Sequence, residues 1–186
     1  GNYRHTDNFF IVYAFYFINQ RKMINKIITE KKLKNIRKKH KKIGFCSGCF
    51  DMFHSGHAFF LNQAKKISGT LVVGLGRDKT VKQLKGKKRP INPEANRLYV
   101  LSSLESVDYV ILNEKNCSKN NFDFYNILNE LRPNYLILNS DSGGIKEKKE
   151  LCKKLKIKIK VLKRAVPPPM EIISSTEIIK KIKTQK

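Results

Sequence analysis

Apolar and polar positions along this chain fall into blocks whose period changes. Ile43, Phe45 and Cys46 open a short apolar run that breaks at Gly48, as a buried strand does. From Ala58 to Ile67 the spacing lengthens, so that Phe60, Leu61, Ala64 and Ile67 share one face of a helix. Leu71 to Gly76 is a continuous apolar run suited to a strand covered on both faces. Pro93 to Leu104 reads as a helix with proline and glutamate in its first turn and Leu98, Leu101 and Leu104 inward.

The alternation continues to the end of the chain. Val107 to Leu112 predicts a third strand, Phe122 to Leu131 a helix that stops before Pro133, and Tyr135 to Leu138 a fourth strand. Ile145 to Leu155 predicts a lysine-rich helix, and Ile157 to Leu162 a fifth strand in which Ile157, Ile159 and Val161 alternate with lysine. A last helix opens around Ile173 to Ile178, where hydroxyls precede a glutamate as in an N-cap. Strand and helix in regular succession predict an α/β fold: one domain with a doubly wound, Rossmann-like, parallel five-stranded sheet. The domain is expected over residues 42–186, behind a basic N-terminal extension, 1–41.

The connecting stretches carry their own expectations. Thr80 to Pro93 reads as a mobile basic loop, Asn113 to Asn121 as a polar loop, and Lys38 to Lys42 as a solvated linker with His40 exposed. Ile24 to Lys42, with Ile27, Ile28, Leu33 and Ile36 spaced amphipathically, reads as a short helix beside the first strand. The aromatic run Asn8 to Asn19 is shorter than the roughly 20 residues a membrane span needs. It lacks a signal-peptide cleavage pattern; Met23 could be a start, with residues 1–22 an upstream extension, and a packed extra helix or strand is the other reading. Val166 to Met170 is a stiff, proline-rich segment.

Charge changes the picture only in part. The chain has 186 residues and a formal charge of +24, which invites nucleic acid or an anionic membrane as partner. The lysines are scattered, however, and no nucleic-acid-binding pattern accompanies them, so neither partner is expected. Four cysteines include Cys46 and Cys49 in a C-x-x-C pair, which with His54 and His57 could suggest zinc or redox chemistry. The Cys49 to His54 separation is far shorter than a zinc-finger loop of about 12 residues. Cys46 lies inside an apolar strand, where a thiol acts as a small hydrophobe. No metal ligand set is therefore assigned, and a reducing, cytoplasmic setting is expected.

The chemistry concentrates in Gly44 to His57, GFCSGCFDMFHSGH. A strand, a glycine turn and a helix start, in that order, leave outward-pointing N–H groups at a positive helix end, a ready phosphate site. His54 and His57 can donate hydrogen bonds there, and Gly56 allows a ligand close approach.

GCFDMFHSGH resembles the signature of the HxGH nucleotidyltransferases, the group that holds cytidylyltransferases and adenylyltransferases. Further resemblances follow in order: the stretch RDKTVKQLKGKKRPINPEANRLYVLSSLESVDYVI is similar to the middle of the heptose-phosphate adenylyltransferases, and ISSTEII to the group's C-terminal ISTT-type motif. FDMFHSGHA also resembles the choline- and ethanolamine-phosphate cytidylyltransferases. The resemblance covers roughly residues 42–182.

The resemblance implies the site residues. His54 and His57 would contact the triphosphate and stabilise charge on the transferred phosphate, and Lys85 and Arg97 would complete the catalytic set. Gly48, Cys49, Phe50 and Asp51 would line the nucleotide, with Arg164, Ser174, Ser175 and Thr176 closing in from the C-terminal side. Asp51, Lys85 and Asp141 would face the acceptor. Arg97 could also be an exposed partner of Glu94, and capping alone would explain the Ser174 to Thr176 hydroxyls. Magnesium would arrive with the nucleoside triphosphate, and a homodimer is implied.

Two departures fall at the implied acceptor or base pocket. Asn139-Ser-Asp-Ser replaces a Gly-Asp or Asp-Asp pair, and three prolines replace a shorter approach to the last motif. The expected activity is transfer of a nucleoside monophosphate to a sugar or polyol phosphate, with ATP and heptose 1-phosphate favoured. CTP with glycerol 3-phosphate or another alcohol phosphate is close behind. The competing readings are a non-catalytic basic module that binds nucleotide or RNA, and a zinc- or redox-dependent protein.

Overall fold

The computed structural model describes residues 21–113 and 124–185. The Asn8 to Asn19 run, nearly all of the Asn113 to Asn121 loop, and the first residues expected of the Phe122 helix lie outside the described residues. Among the described residues a six-stranded sheet forms from β1 (Ile27–Ile28), β2 (Ile43–Gly48), β3 (Thr70–Leu75), β4 (Tyr109–Leu112), β5 (Tyr135–Asn139) and β6 (Lys158–Leu162). The order across it is β1-β4-β3-β2-β5-β6, and every pairing is parallel. Helices of the described residues include α1 (Leu33–Lys39), α2 (Ser55–Ser68), α3 (Asp78–Lys85), α4 (Glu94–Ser103), α5 (Tyr125–Leu131), α6 (Ile145–Leu155) and α7 (Ser175–Thr184).

Each central strand supplies both faces of the sheet, because successive side chains point in opposite directions. Phe45, Val72, Ile111 and Leu136 enter one core with Leu33 and Ile36 of α1, Ile127, Leu128 and Leu131 of α5, and Cys152 and Leu155 of α6. Their neighbours Cys46, Val73, Val110 and Ile137 enter the other, with Phe60, Leu61 and Ala64 of α2 and Leu101 of α4. This two-sided burial is why the strands read as unbroken apolar runs rather than alternating ones. A Cβ on Gly74 would lie 2.6 Å from both the Phe45 and Phe124 rings, so β3 needs glycine where aromatic rings cross it.

The five expected strands are all present, and the structure adds a sixth. Ile27 and Ile28, expected in a helix, instead pair with Val110 and Ile111 at the sheet edge. Ile28, Leu33 and Ile36, which precede the residue-42 start expected for the domain, are buried in the core. The loop expected from Thr80 to Pro93 begins as helix α3, whose Thr80 and Val81 are buried. His40 is not simply exposed: its ring bridges Tyr109 Oη at 3.0 Å and Thr70 Oγ1 at 3.1 Å. No helix among the described residues is long and apolar enough to cross a membrane.

Candidate active site

The strand order decides where a ligand can sit. The chain lays β3 and β4 on one side of β2, then returns to lay β5 and β6 on the other. The loops leaving β2 and β5 therefore part at their carboxyl ends, which opens a crevice at that switch point. A cavity of about 850 Å³ occupies it, bordered by the turn after β2, the start of α2, the turn after β5, the end of β6 and the start of α7. Its size suits a small-molecule site.

The α2 start carries the two imidazoles. Their rings stack with centroids 3.9 Å apart and planes at 27°. Phe53 stacks behind His57 at 5.6 Å, and Phe50 meets it edge-on at 5.3 Å. Burial, with His54 and Arg164 adding to it, pushes the His57 pKa down to about 4. His54 is lowered as well, by burial and then by Arg164. Above the ordinary imidazole value of about 6.5 both rings are therefore neutral, and each offers one N–H. A Cβ on Gly56 would come within 3.1 Å of the His54 ring, so glycine here leaves that ring its place.

The turn between β2 and α2 is gripped from outside. Phe50 adopts a left-handed backbone at φ 47°, a conformation most side chains avoid and one that needs support from its surroundings. The Asp51 carboxylate, 2% exposed, provides part of it: it accepts from the Arg89 guanidinium and from the N–H groups of Ile91 and Asn92, both at 2.8 Å. Burial works against its charge, but the Asn92, Ile91 and Arg89 bonds outweigh it and hold the carboxyl below its usual range. Asn92 Nδ2 donates to Asp51 O at 2.6 Å. Arg97, 1% exposed, donates to Cys49 O at 2.6 Å, to Asn92 O at 2.9 Å and to Asp78 Oδ1 at 2.7 Å.

The opposite wall comes from the C-terminal third. Arg164, just after β6, donates to Asp141 Oδ2 at 3.2 Å and to Ile173 O at 2.7 Å. Ser174 caps α7 by accepting from the Glu177 N–H at 3.2 Å, and Ser175 Oγ donates to Met52 O at 3.2 Å. The N-termini of α2 and α7 thus border the same cavity, and both helix ends favour an anion. Two carboxylates, Asp51 and Asp141, share the wall with five cationic side chains: Lys85, Arg89, Lys148, Lys163 and Arg164.

Of the residues expected from the sequence, the cavity brings together Gly48, Cys49, Phe50, Asp51, His54, His57, Lys85, Asp141, Arg164, Ser174, Ser175 and Thr176. Arg97 is the exception. It is neither an exposed partner of Glu94 nor in the cavity wall; it borders a separate recess of about 340 Å³, its guanidinium spent on the turn. Asp51 lines the cavity, yet its carboxylate is committed to the Arg89 to Asn92 segment. Sequence reasoning missed Arg89 and Asn92, which hold Asp51 from 38 to 41 positions away. The signal available was a buried acid in the signature turn and a nearby surplus of cations. Cys46 is fully buried and its thiol is pushed up by burial, so it packs as an apolar group; burial also raises Cys49. Among the described residues no three of His, Cys, Asp and Glu converge as a resident metal ion would need.

Comparison with known proteins places this geometry. The family model described as Cytidylyltransferase-like matches residues 45–181. The chain is 40% identical over 111 residues to the bifunctional protein HldE of a Nitratiruptor species, which is 60% of this chain and 23% of that protein. It is 36% identical over 126 residues to HldE of Wolinella succinogenes, 68% of this chain and 25% of that protein. The match therefore spans about a quarter of these curated relatives' length. A lipopolysaccharide core biosynthesis protein from Thermoplasma volcanium superposes with a TM-score of 0.56 at 29% identity, covering 68% of this chain and 98% of that one. Pantoate-beta-alanine ligase from Francisella tularensis, at 21% identity and a TM-score of 0.55, covers 84% of this chain and 76% of its own, and shares the fold.

Proposed function

The chain belongs to the cytidylyltransferase-like family of nucleotidyltransferases, and on that premise we propose that it transfers a nucleoside monophosphate from a nucleoside triphosphate to a sugar or polyol phosphate. One observation carries this reading. A single cavity holds the stacked imidazoles, the starts of two helices, and cationic side chains from α3 and from the residues just after β6.

An oxygen of the acceptor phosphate attacks the α-phosphorus in line; that P–O bond forms as the bond to the bridging oxygen breaks and pyrophosphate leaves. The acceptor phosphate is already ionised near neutrality, so no side chain has to remove a proton. The protein supplies position and preorganised positive potential. Neutral His54 and His57 each donate an N–H to the developing charge. Arg164 and the α7 N–H groups hold the triphosphate tail, and Lys85 neutralises phosphate charge from the other side. Arg97 and Asp51 act at one remove, by fixing the turn that presents Cys49 to Met52.

Magnesium enters with the triphosphate as part of the substrate. The donor set suits such a guest, because Asp51 is committed to Arg89 and two N–H groups and, among the described residues, no three of His, Cys, Asp and Glu converge to form a resident site. The resemblance to the heptose-phosphate adenylyltransferases makes ATP with heptose 1-phosphate the preferred pair, and CTP with glycerol 3-phosphate the runner-up. A homodimer in the cytoplasm belongs to the same proposal.

A panel of four nucleoside triphosphates against several sugar and polyol phosphates, read by pyrophosphate release, tests it. Release is expected only when a phosphorylated acceptor is present and fastest with ATP and a heptose phosphate. Silence across the whole panel overturns the reading, whereas a preference for CTP corrects the nucleotide alone.

A further inference from the structure

Arg164 and Asp141 form a polar pair whose place in the cavity points beyond its charge. Arg164 has two acceptors of different kinds. Ile173 O, 2.7 Å away, directly precedes the Ser174 cap of α7 and ties the guanidinium to that helix start. Asp141 Oδ2, 3.2 Å away, belongs to the turn after β5, and the two side chains keep 37% and 54% of their surface exposed. Arg164 lines the same cavity as His54 and His57, so the guanidinium and the imidazoles border one space.

The two cavity carboxylates are not equivalent. Asp51 is buried and answered by one guanidinium and two backbone N–H groups, so nothing entering the cavity can recruit it without dismantling the turn. Asp141 has one long, solvent-screened ion pair, of the kind worth little on its own. A triphosphate lying along the imidazoles and the α7 start brings several negative charges to Arg164, and a single half-exposed carboxylate loses that competition.

We propose that the Asp141–Arg164 pair orders the two substrates: the triphosphate takes Arg164 from Asp141, and the released carboxylate then accepts hydrogen bonds from the acceptor's hydroxyls. This rests on the nucleotidyl-transfer reading above. In the empty cavity Asp141 holds Arg164 near its working position and is itself occupied. Nucleotide binding moves the guanidinium onto phosphate while Ile173 O keeps it anchored. The acceptor-facing carboxylate thereby loses its guanidinium partner only in the nucleotide complex, and the nucleotide binds first.

Asp141→Asn separates this from a simple acceptor-binding role. Calorimetric titration with MgATP and MgCTP, in the absence of acceptor, is expected to show roughly three- to tenfold tighter binding to the variant. In steady state the KM for the sugar or polyol phosphate is expected to rise while the KM for nucleotide falls. Asp141→Ser, which also removes the charge and suits a turn, should behave alike. Because Asp141 is exposed, the melting temperature should stay at the wild-type value. Nucleotide affinity that is unchanged or weakened in both variants overturns the ordering. If instead the wild type releases no pyrophosphate with any acceptor, the transfer reading fails, whatever the variants bind.

Discussion

His57→Ala is expected to lower turnover by about two to three orders of magnitude, the usual cost of removing one preorganised donor to a developing charge. The ring is held on three sides, by His54 at 3.9 Å, Phe53 at 5.6 Å and Phe50 at 5.3 Å, so it has little freedom to be elsewhere when charge appears. It is a donor whose geometry is settled before substrate arrives, and water entering the vacated space does not reproduce it. The fold should survive, because His57 lies at the helix start and is only partly buried there. Pyrophosphate release at saturating substrate, with a thermal melt on the same sample, checks both halves. A variant that keeps most of the wild-type rate removes His57 from the mechanism. The wild-type pH profile should also lack an inflection from this group near 6.5. His57 is already neutral there, and its proton is taken up only as pH falls toward about 4.

Arg97→Ala should have the largest effect on stability. The guanidinium is 1% exposed and joins three separated acceptors: Cys49 O, Asn92 O and the Asp78 carboxylate. Removing it strands buried acceptors and leaves a hole beneath the turn. Breaking a buried pair on one side costs about 3–5 kcal/mol. For a domain of this size that corresponds to a fall in melting temperature of about 10 °C. Partial screening of Asp78, whose side chain is 32% exposed, places the expectation toward the lower end. A calorimetric melt decides the matter. If the variant melts with the wild type yet has lost activity, Arg97 belongs with the groups that touch substrate, as the sequence resemblance implied.

These two residues also show what a sequence can and cannot display. His54 and His57 were legible because four positions on one helix start fix their relation locally, and a strand and a glycine turn precede them in the chain. The strands β2 to β5 were legible for the same reason, each being a run of neighbours buried on both faces, while the exposed edge strand β6 showed itself by apolar residues alternating with lysine. Arg97 was not, since its burial depends on Asp78 and Cys49, which are 19 and 48 positions away and reach it only once β2, α3 and α4 have assembled. Ile27 and Ile28 sit in a helix-like spacing, and only the edge of β4 makes them a strand. Helix α3 hides behind its lysines because only Thr80 and Val81 turn inward, too few to imprint a period.

Helix α7 brings Ser174, Ser175 and Thr176 to the cavity, yet none of its residues is buried. Its described hydrogen bonds to the rest of the chain are few, with Ser175 reaching Met52 and the Arg164 guanidinium holding Ile173 just ahead of it. The imidazoles share the fate of the sheet, whereas the hydroxyls opposite them are tethered by a handful of polar links. Detaching that flank uncovers only the half-buried sides of residues such as Ile173, Ile178 and Ile179, so its opening is governed by a local equilibrium rather than by the cohesion of the whole. Departure of a bulky nucleotide conjugate can then proceed through that flank while the strands beneath stay paired.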